Sequence, residues 1–318
     1  MPTPSENTPS FARPVVGIAM KVASVVAFTL MATAIKLAGQ LPAGQIVFFR
    51  SFFAILPICA YLFWTGQLAG AWHTTRPVGH IARGLVGVSA MTLGFYGLTR
   101  LPLPDAIAIG YARPLVTVAL GALLLGEVVR RYRWGAVFVG LFGVLVISWP
   151  KLQLFRGAGD IGTQEALGVA ACFASACIAG LATVLVRRLV TTERTPTIVL
   201  YFSVTATLFA LTTLPFGWSA LTATQASALV MSGVFGGLGQ ILLTESYRHA
   251  EVSTIAPFEY TSVVLGIGIG FFVFSEIPGW ATVVGSAIVV ASGIFIIYRE
   301  SRLGLARGAA RQNVTPQG

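Results

Sequence analysis

The chain has 318 residues, of which 55% are hydrophobic and 10% charged, and its formal net charge is +10. An average soluble domain carries about 25% charged residues, so this composition excludes a soluble globular protein. The positive charge does not indicate a nucleic-acid partner, because the basic residues lie in tails and short loops between long apolar stretches.

Ten apolar stretches follow one another along the chain, and each is long enough to cross a hydrocarbon core of about 30 Å as a helix. Short connections separate them, and the polar segments beyond them are the tails 1–14 and 299–318. The sequence therefore predicts an all-α membrane protein with ten transmembrane helices. The predicted spans are 15–37, 44–64, 79–99, 104–126, 133–150, 165–186, 196–215, 226–247, 252–274 and 278–298.

The first apolar stretch does not resemble a removable signal peptide. The N-terminus, Met1 to Glu6, carries no basic segment, and no small-residue cleavage site follows a short apolar core. We therefore expect this stretch to remain as a transmembrane helix.

The distribution of basic residues predicts the orientation. Cytoplasmic loops are enriched in Lys and Arg, so we expect both termini to be cytoplasmic, in a bacterial inner membrane. The net charge then reflects topology, with weak attraction to anionic membrane lipid as a side effect. In this orientation the outer connections keep Lys36, Arg100, Lys151 and Arg156, while the tails and inner loops hold Arg13, Arg76, Arg130, Arg131, Arg133, Arg187, Arg188, Arg194, Arg248, Arg299, Arg302, Arg307 and Arg311.

The two halves of the chain, 15–150 and 165–298, can be aligned as an internal repeat of five helices. An odd number of crossings makes the second copy enter the membrane from the opposite face, so the copies are inverted about an axis in the membrane plane. This arrangement is common in secondary transporters, although duplication also produces static scaffolds. The matching positions are 17–24 with 168–175, Lys36 with Arg187, 46–51 with 198–203, Tyr111 with Tyr260, and 126–127 with 275–276.

The ends of the two halves resemble a known family. Gly126-Glu127 followed by Trp134, and Ser275-Glu276 followed by Trp280, are similar to the bacterial EamA family of the drug/metabolite transporter superfamily. The resemblance covers the chain between its tails and implies ten helices in two inverted halves, a central cavity and no ATP hydrolysis. A closer likeness to alphaproteobacterial riboflavin transporters is carried by residues 48–54, 101–105, 108–112, 239–244 and 256–262.

Two ionisable residues lie deep in predicted helices four and nine. Glu259 is about 10 Å from the cytoplasmic edge and Arg113 about 14 Å from the periplasmic edge. A charge at the bilayer centre costs at least about 2.5 to 3.5 kcal/mol, so both side chains should face the bundle interior or water. We expect them on a cavity wall, either paired or in contact with substrate; a purely structural ion pair is the alternative. Pro114 and Pro257 beside them should each kink a helix.

Further polar and aromatic residues complete the predicted substrate site. Arg50 lies among phenylalanines in helix two and either lines the cavity or extends to the interface. Gln240 shares one helical face with Thr244 and Tyr247, as a cavity wall would require. The predicted substrate-binding residues are Arg50, Tyr96, Tyr111, Arg113, Gln240, Glu259, Tyr260 and Ser262.

Several charged residues have simpler interpretations. Lys21 and Arg83 lie within reach of the cytoplasmic interface, where long basic side chains can extend to water. Asp105 opens helix four, where a carboxylate caps the positive helix end. Glu127 can pair with Arg130 or Arg131, whereas Glu276 has no basic neighbour in sequence.

The sequence favours a carrier over an enzyme. Its three histidines have no acid at motif spacing, its three cysteines form no metal-binding pattern, and no phosphate-binding Gly-rich loop is present, so we expect no cofactor. The predicted function is secondary transport of a small organic metabolite by alternating access, with riboflavin uptake as the first candidate. Export of amino acids or drug-like metabolites, or S-adenosylmethionine transport, is the alternative that neighbouring family members imply.

Overall fold

The computed structural model describes residues 14–125, 131–154, 160–189, 192–193, 195–249 and 256–312, and these segments are helical without strands, as predicted. Within these described segments, three 3₁₀ turns lie between the helices: Ala69–Trp72, Leu214–Phe216 and Ala256–Tyr260. The helices are α1 (Pro14–Leu37), α2 (Ala43–Trp64), α3 (Pro77–Leu98), α4 (Leu103–Gly110), α5 (Ala112–Leu125), α6 (Arg131–Leu154), α7 (Asp160–Leu189), α8 (Thr195–Leu211), α9 (Ala223–His249), α10 (Thr261–Phe274) and α11 (Trp280–Gln312).

Five described segments are long and apolar enough to cross a membrane: Val15–Leu37, Ala43–Trp64, Pro77–Leu98, Thr163–Val186 and Ala223–Leu243. Shorter apolar segments occur in α6, α8, α10 and α11. Large apolar side chains on the outside of the bundle, such as Val264 and Phe272, are 71% and 83% exposed. Such surfaces are suited to contact with lipid rather than water.

The helices of the two halves pack crosswise. α1 lies along α9, α3 lies along α7, and α6 packs against α11. In the sequence alignment, α1 corresponds to α7 and α3 corresponds to α9. The first helix of each half therefore packs against the third helix of the other half.

α6 and α11 approach closely at two glycines. A Cβ atom built on Gly285 would lie 2.6 Å from the carbonyl oxygen of Gly143, and one built on Gly143 would lie 2.9 Å from the carbonyl oxygen of Gly285. Glycine at both positions lets the two backbones touch, as is usual for helix pairs in membranes.

The prediction of one continuous helix over 104–126 is wrong, because the helix is broken. α4 ends at Gly110, Tyr111 forms a turn in which its amide donates to the Ala108 carbonyl at 3.2 Å, and α5 begins at Ala112. Proline has no N–H group, so Pro114 does not donate the regular helical bond to the Gly110 carbonyl. In the second half, the described part of predicted span 252–274 changes from a 3₁₀ turn to α10 at Tyr260. The aligned residues Tyr111 and Tyr260 therefore both lie at junctions.

Two predicted boundaries also differ from the structure. α7 begins at Asp160, five positions before the predicted residue 165, and α11 continues to Gln312. Much of the predicted C-terminal tail is therefore a helical extension of the last span.

Glu193, between α7 and α8, binds the residues that precede α3. One carboxylate oxygen accepts hydrogen bonds from the Thr75 amide at 2.8 Å, the Arg76 amide at 3.2 Å and the Thr74 hydroxyl at 2.9 Å, while His80 Nε2 lies 3.6 Å from the other. Burial raises the pKa of Glu193, but the hydrogen bonds from Thr75 and Thr74, together with His80, outweigh it and lower the pKa to about 2. The ionised carboxylate thus satisfies the free amides that begin a helix.

Candidate functional site

The two junctions at Tyr111 and Tyr260 meet inside the bundle. The rings of Tyr111 and Tyr260 are 5.0 Å apart between centroids at an interplanar angle of 34°. The Tyr111 hydroxyl donates to the Glu259 carbonyl oxygen at 2.7 Å and is also hydrogen-bonded to the Ser262 hydroxyl. Four predicted site residues, Tyr111, Glu259, Tyr260 and Ser262, are therefore brought together, and we call this group the tyrosine junction.

The carboxylate of Glu259 pairs with a lysine of α1. Lys21 Nζ lies 3.5 Å from Glu259 Oε2, and the two side chains are 5% and 49% exposed. The prediction that Lys21 extends to the interface is wrong, because its ammonium group stays inside the bundle. In the part of the chain that the structure describes, Glu259 has this partner rather than Arg113.

Arg113 lies on the second residue of α5, with an exposed side chain. Its carbonyl oxygen accepts a hydrogen bond from the Thr117 hydroxyl at 2.8 Å. Its charge lies within electrostatic range of the Tyr111 hydroxyl, so it borders the tyrosine junction without an ion pair among the described residues.

α11 supports the tyrosine junction from behind. A Cβ atom built on Gly293 would lie 1.5 Å from the Tyr260 hydroxyl oxygen and 2.4 Å from Tyr260 Cζ. The phenol therefore rests directly on the backbone of α11, and residue 293 must be glycine for the ring to keep this position.

Arg50 is buried rather than extended to the interface, with 4% of its surface exposed. The neighbouring phenylalanines stack in two pairs, Phe48 with Phe52 and Phe49 with Phe53. Arg50 is thus inside the bundle but in a different place from the tyrosine junction, between α2 and α9.

The prediction that Arg83 extends to the interface is also wrong. Its guanidinium carbon lies 3.9 Å from the centroid of the Phe202 ring, and its Nε and Nη1 atoms are buried. The side chain is therefore turned into the bundle.

The two remaining predicted site residues, Tyr96 and Gln240, lie on α3 and α9. Tyr96 is covered by Arg100, whose guanidinium carbon lies 3.5 Å from the ring centroid and whose Nε donates to Gln164 at 3.0 Å. Gln240 is half-buried on α9. The side chains of Thr244 and Tyr247, the other members of its predicted stripe, lie outside the described residues.

A second polar group closes the end of the bundle where α1 and α10 finish. Lys36 Nζ lies 2.6 Å from Glu276 Oε1 and donates a hydrogen bond to the Leu101 carbonyl. The other oxygen of Glu276 accepts from the Leu103 amide at 2.8 Å, at the start of α4. Glu276, which has no basic neighbour in sequence, thus finds one across the fold. The predicted pairing of Glu127 lies outside the described residues.

Asp105 lies in the first turn of α4, as predicted, but it also holds α11. Its carboxylate accepts a hydrogen bond from the Thr282 hydroxyl, and the residue is 4% exposed. A cavity of about 320 Å³ opens here, with Asp105, Glu165 and Glu276 in its wall.

The fold and the repeat agree with the comparison to known proteins. The sequence profile of the EamA-like transporter family matches residues 15–149 and again residues 166–299. The chain belongs to this family. The resemblance inferred from the ends of the two halves is therefore confirmed, and the protein is a multi-pass membrane transporter.

Relatives of this EamA-like transporter are named for several cargoes. It is 26% identical over 263 residues to the S-adenosylmethionine uptake transporter of Rickettsia felis, covering 83% of this chain and 85% of the relative. It is 30% identical over 288 residues to the pseudopaline exporter CntI of Pseudomonas aeruginosa, covering 87% and 94%. It is 26% identical over 296 residues to the riboflavin transporter of Rhizobium johnstonii, covering 91% and 93%.

A solved crystal structure shares the fold. It superposes on this chain with a TM-score of 0.63 at 20% identity, covering 90% of this chain and 98% of the other. At this identity the likeness concerns the architecture alone.

Sequence reasoning missed the roles of Lys21, Arg83 and Lys36 in this EamA-like transporter. One signal was available for Lys21: it lies at a similar depth to Glu259 from the same membrane face and has the opposite charge. Buried opposite charges tend to pair. Arg83 gave no comparable signal, because the direction of its side chain depends on the packing of α3 against α8.

Proposed function

We propose that this EamA-like transporter is a secondary carrier that moves a small organic metabolite across the bacterial inner membrane by alternating access. Ten crossings would form two inverted halves, 15–150 and 165–298, with the tails 1–14 and 299–318 in the cytoplasm. The observation that carries the proposal is the tyrosine junction, where the break between α4 and α5 meets the change from a 3₁₀ turn to α10 at aligned residues. Crosswise helix packing and the two family matches support the inverted arrangement.

The tyrosine junction has the properties of a transport site. Broken helices leave backbone carbonyls without intrahelical donors, and such backbone is tolerated at membrane depth where it borders protein or a water-filled cavity. Here the breaks coincide with two phenol rings, a carboxylate that is half-exposed and a buried ammonium group. A polar cargo would find aromatic surface and hydrogen-bonding groups at one place.

Riboflavin uptake is the finer proposal. A flat ring system can stack on the phenols of Tyr111 and Tyr260, while a polyol chain can bond to Ser262, Glu259 and Lys21. The relative from Rhizobium johnstonii, named a riboflavin transporter, supports this cargo. Because the phenol rings are in contact, with centroids 5.0 Å apart, a cargo must either bind at their outer edge or part them.

A metabolite with an amino-acid group is the second candidate. The ion pair of Lys21 and Glu259 offers one charge of each sign, which suits a carboxylate and an ammonium group on the same cargo. The relatives named for S-adenosylmethionine uptake and pseudopaline export support this alternative.

Uptake into proteoliposomes tests the proposal. Purified protein is reconstituted, and the entry of labelled riboflavin and of labelled S-adenosylmethionine is measured in parallel, with empty vesicles as reference. We expect saturable, protein-dependent uptake of riboflavin. Uptake of S-adenosylmethionine alone would replace the finer proposal, and transport of neither by folded protein, nor of an amino-acid panel, would contradict the carrier function at this site.

Tyr111→Phe links the transport to the site. The variant keeps the ring but loses the hydroxyl that bonds Glu259 and Ser262, so we expect uptake to fall by about tenfold, equivalent to about 1.4 kcal/mol. The matched control is Tyr298→Phe, near the end of α11, where the exposed phenol is stacked with Arg302. Equal uptake by both variants would remove the tyrosine junction from the mechanism.

A further inference from the structure

Two arginines inside the bundle have buried nitrogen atoms without hydrogen-bond partners among the described residues. Arg50 Nε, Arg83 Nε and Arg83 Nη1 are buried and have no hydrogen-bond acceptor among the described residues. The ion pairs recorded for the described chain are Lys21–Glu259, Lys36–Glu276 and His80–Glu193, so neither arginine has a carboxylate partner there.

Both guanidinium groups lie near the middle of the bundle. A Cβ atom built on Gly87 would lie 2.5 Å from Arg83 Nη1, and Gly87 is midway along the 22 residues of α3. A Cβ atom built on Gly236 would lie 3.2 Å from Arg50 Nε, and Gly236 is midway along the 27 residues of α9. Both arginines lie in the N-terminal half of their own helix, and their side chains extend towards this middle level.

The two charges lie within electrostatic range of each other, and each is bordered by apolar groups. The Arg83 guanidinium lies over the face of Phe202, and the sulfur of Met31 and the glycine backbone of α9 border Arg50. Glycines at 87 and 236 leave the space that the guanidinium groups occupy.

Such an arrangement needs a compensating negative charge. An arginine does not lose its proton in proteins, so neutralisation by deprotonation is not an outcome. An unpaired cation away from water is expensive, and a second like charge within electrostatic range adds to that cost. An anion held between the groups would remove both penalties.

We propose that Arg50 and Arg83 form a binding site for an anionic oxygen group, a carboxylate or a phosphate. The planar, forked guanidinium matches these groups through paired hydrogen bonds. The oxygen group belongs either to the cargo itself or to a free anion that is bound alongside it. The assignment to transport rests on the proposed carrier function, whereas anion binding by the bundle does not.

Anion binding is tested on the purified protein without transport. Its thermal unfolding is followed in sodium acetate and in sodium phosphate, with sodium chloride at equal ionic strength as reference. We expect a saturable rise in unfolding temperature with acetate or phosphate, because a ligand that binds the folded state stabilises it. No saturable rise in the wild-type protein would overturn the proposal.

Variants assign the effect to the two arginines. Arg50→Gln and Arg83→Gln should each raise the apparent Kd for the anion by at least about tenfold, since truncating one member of a buried charged pair is costly. Arg302→Gln, which removes an exposed charge on α11, should leave the Kd unchanged. If a glutamine variant does not fold, Arg50→Lys and Arg83→Lys, which keep the charge but lose the fork, are expected to weaken binding. Unchanged binding in the folded arginine variants would reject the site.

Proteoliposomes then identify the source of the anion. If it is free, uptake of neutral riboflavin should rise with acetate or phosphate in the wild type and not in Arg50→Gln. If the cargo carries it, these anions should compete with uptake of S-adenosylmethionine, which bears a carboxylate. Anion binding with no transport of any cargo would leave the site standing and reject the carrier function, so the two failures are distinguishable.

Discussion

The ion pair of Lys21 and Glu259 joins a buried ammonium group to a half-exposed carboxylate. The two residues depend on each other unequally, because the carboxylate can be solvated where it stands and the ammonium group cannot. Leaving a buried charge without its partner is strongly destabilising, whereas an exposed charge loses little.

A double-mutant cycle tests this inequality. Glu259→Gln should cost about 3 to 5 kcal/mol of folding stability because Lys21 is left unpaired. Lys21→Met should cost less, about 1 kcal/mol. The double variant should recover part of the loss, which thermal unfolding in detergent would show. Equal losses in the two single variants would contradict the assignment of Lys21 as the buried partner.

Glu193 gives a pH dependence at the residue scale. Its pKa is lowered to about 2 in the folded protein, compared with about 4.3 in an unfolded chain. The stability that it contributes is therefore complete above about pH 4.3 and is lost as the pH falls towards 2.

Glu193→Gln should reveal this contribution. At pH 7 we expect the variant to be less stable by about 1 to 3 kcal/mol, because hydrogen bonds to a charged acceptor are replaced by weaker ones. Unfolding temperatures of both proteins, measured from pH 7 downwards, should converge below about pH 4.3. A gap that stays constant with pH would show that the charge of Glu193 is not what holds the start of α3.

The partner of Glu259 was only partly predictable from the sequence, for a physical reason. Depth in the membrane follows from a count of residues along one helix, and this predicted that Glu259 lies deep. Which residue faces it depends on the rotation of that helix and on its neighbours, and Lys21 is 238 positions away. The junction of Tyr111 and Tyr260 was easier to anticipate, because the internal repeat aligns these two residues.

At the scale of helices, the break at Tyr111 divides into α4 and α5 a segment that hydropathy predicts as one span. Residues 104–126 are apolar enough to be predicted as one span, and hydropathy does not register the N–H group missing at Pro114. The structure places α4 and α5 on either side of this break. Pro114, which the sequence predicted to kink this helix, therefore lies just after the point where α4 ends.

The contact between α6 and α11 provides a prediction about packing. In Gly285→Ala the new methyl group would meet the Gly143 carbonyl and Ile147 Cγ1, at 2.6 and 2.4 Å. We expect a loss of about 1 to 3 kcal/mol in folding stability from this overpacking, measured by thermal unfolding.

Gly135→Ala is the matched control for this contact. Gly135 also lies on α6, but a methyl group there would meet nothing within 4 Å. It should be neutral or slightly stabilising, because alanine favours the helix. Similar losses in both variants would show that the close approach of α6 and α11 is not required.

For the whole molecule, the end of the bundle at Lys36 and Glu276 ties together segments from both halves. Lys36 belongs to α1, Glu276 follows α10, and both bond to the connection before α4. A movement that opened this end would have to separate the charges, so the pair should influence how readily the carrier changes state.

Reversing the charges tests this role. Lys36→Glu and Glu276→Lys should each slow uptake in proteoliposomes, because like charges then face each other across the contact. The double variant should recover only part of the rate, since the reversed pair does not reproduce the bonds to Leu101 and Leu103. Arg302→Glu is the control for charge alone. No recovery in the double variant would indicate that these backbone bonds, and not the ion pair, matter.

The helical class of the protein was predictable because the length of the apolar stretches dominates it. Apolar length determined the helical class, and the repeat predicted which residues correspond. The partners of each helix were not predictable, because the predicted repeat does not specify that α1 lies along α9 or α3 along α7. Which helices pack together depends on how closely their surfaces fit. Gly143 and Gly285 show such a fit between α6 and α11.

Gly293 has a consequence for which molecules can pass. The phenol of Tyr260 packs directly against the α11 backbone at Gly293. The ring can therefore move only towards Tyr111 or sideways. A single methyl group at position 293 would displace the Tyr260 ring and leave less room for a cargo that parts the two rings. If cargo passes at the tyrosine junction as proposed, the thickness of the molecules admitted would depend on the absence of a side chain at position 293 in the last helix.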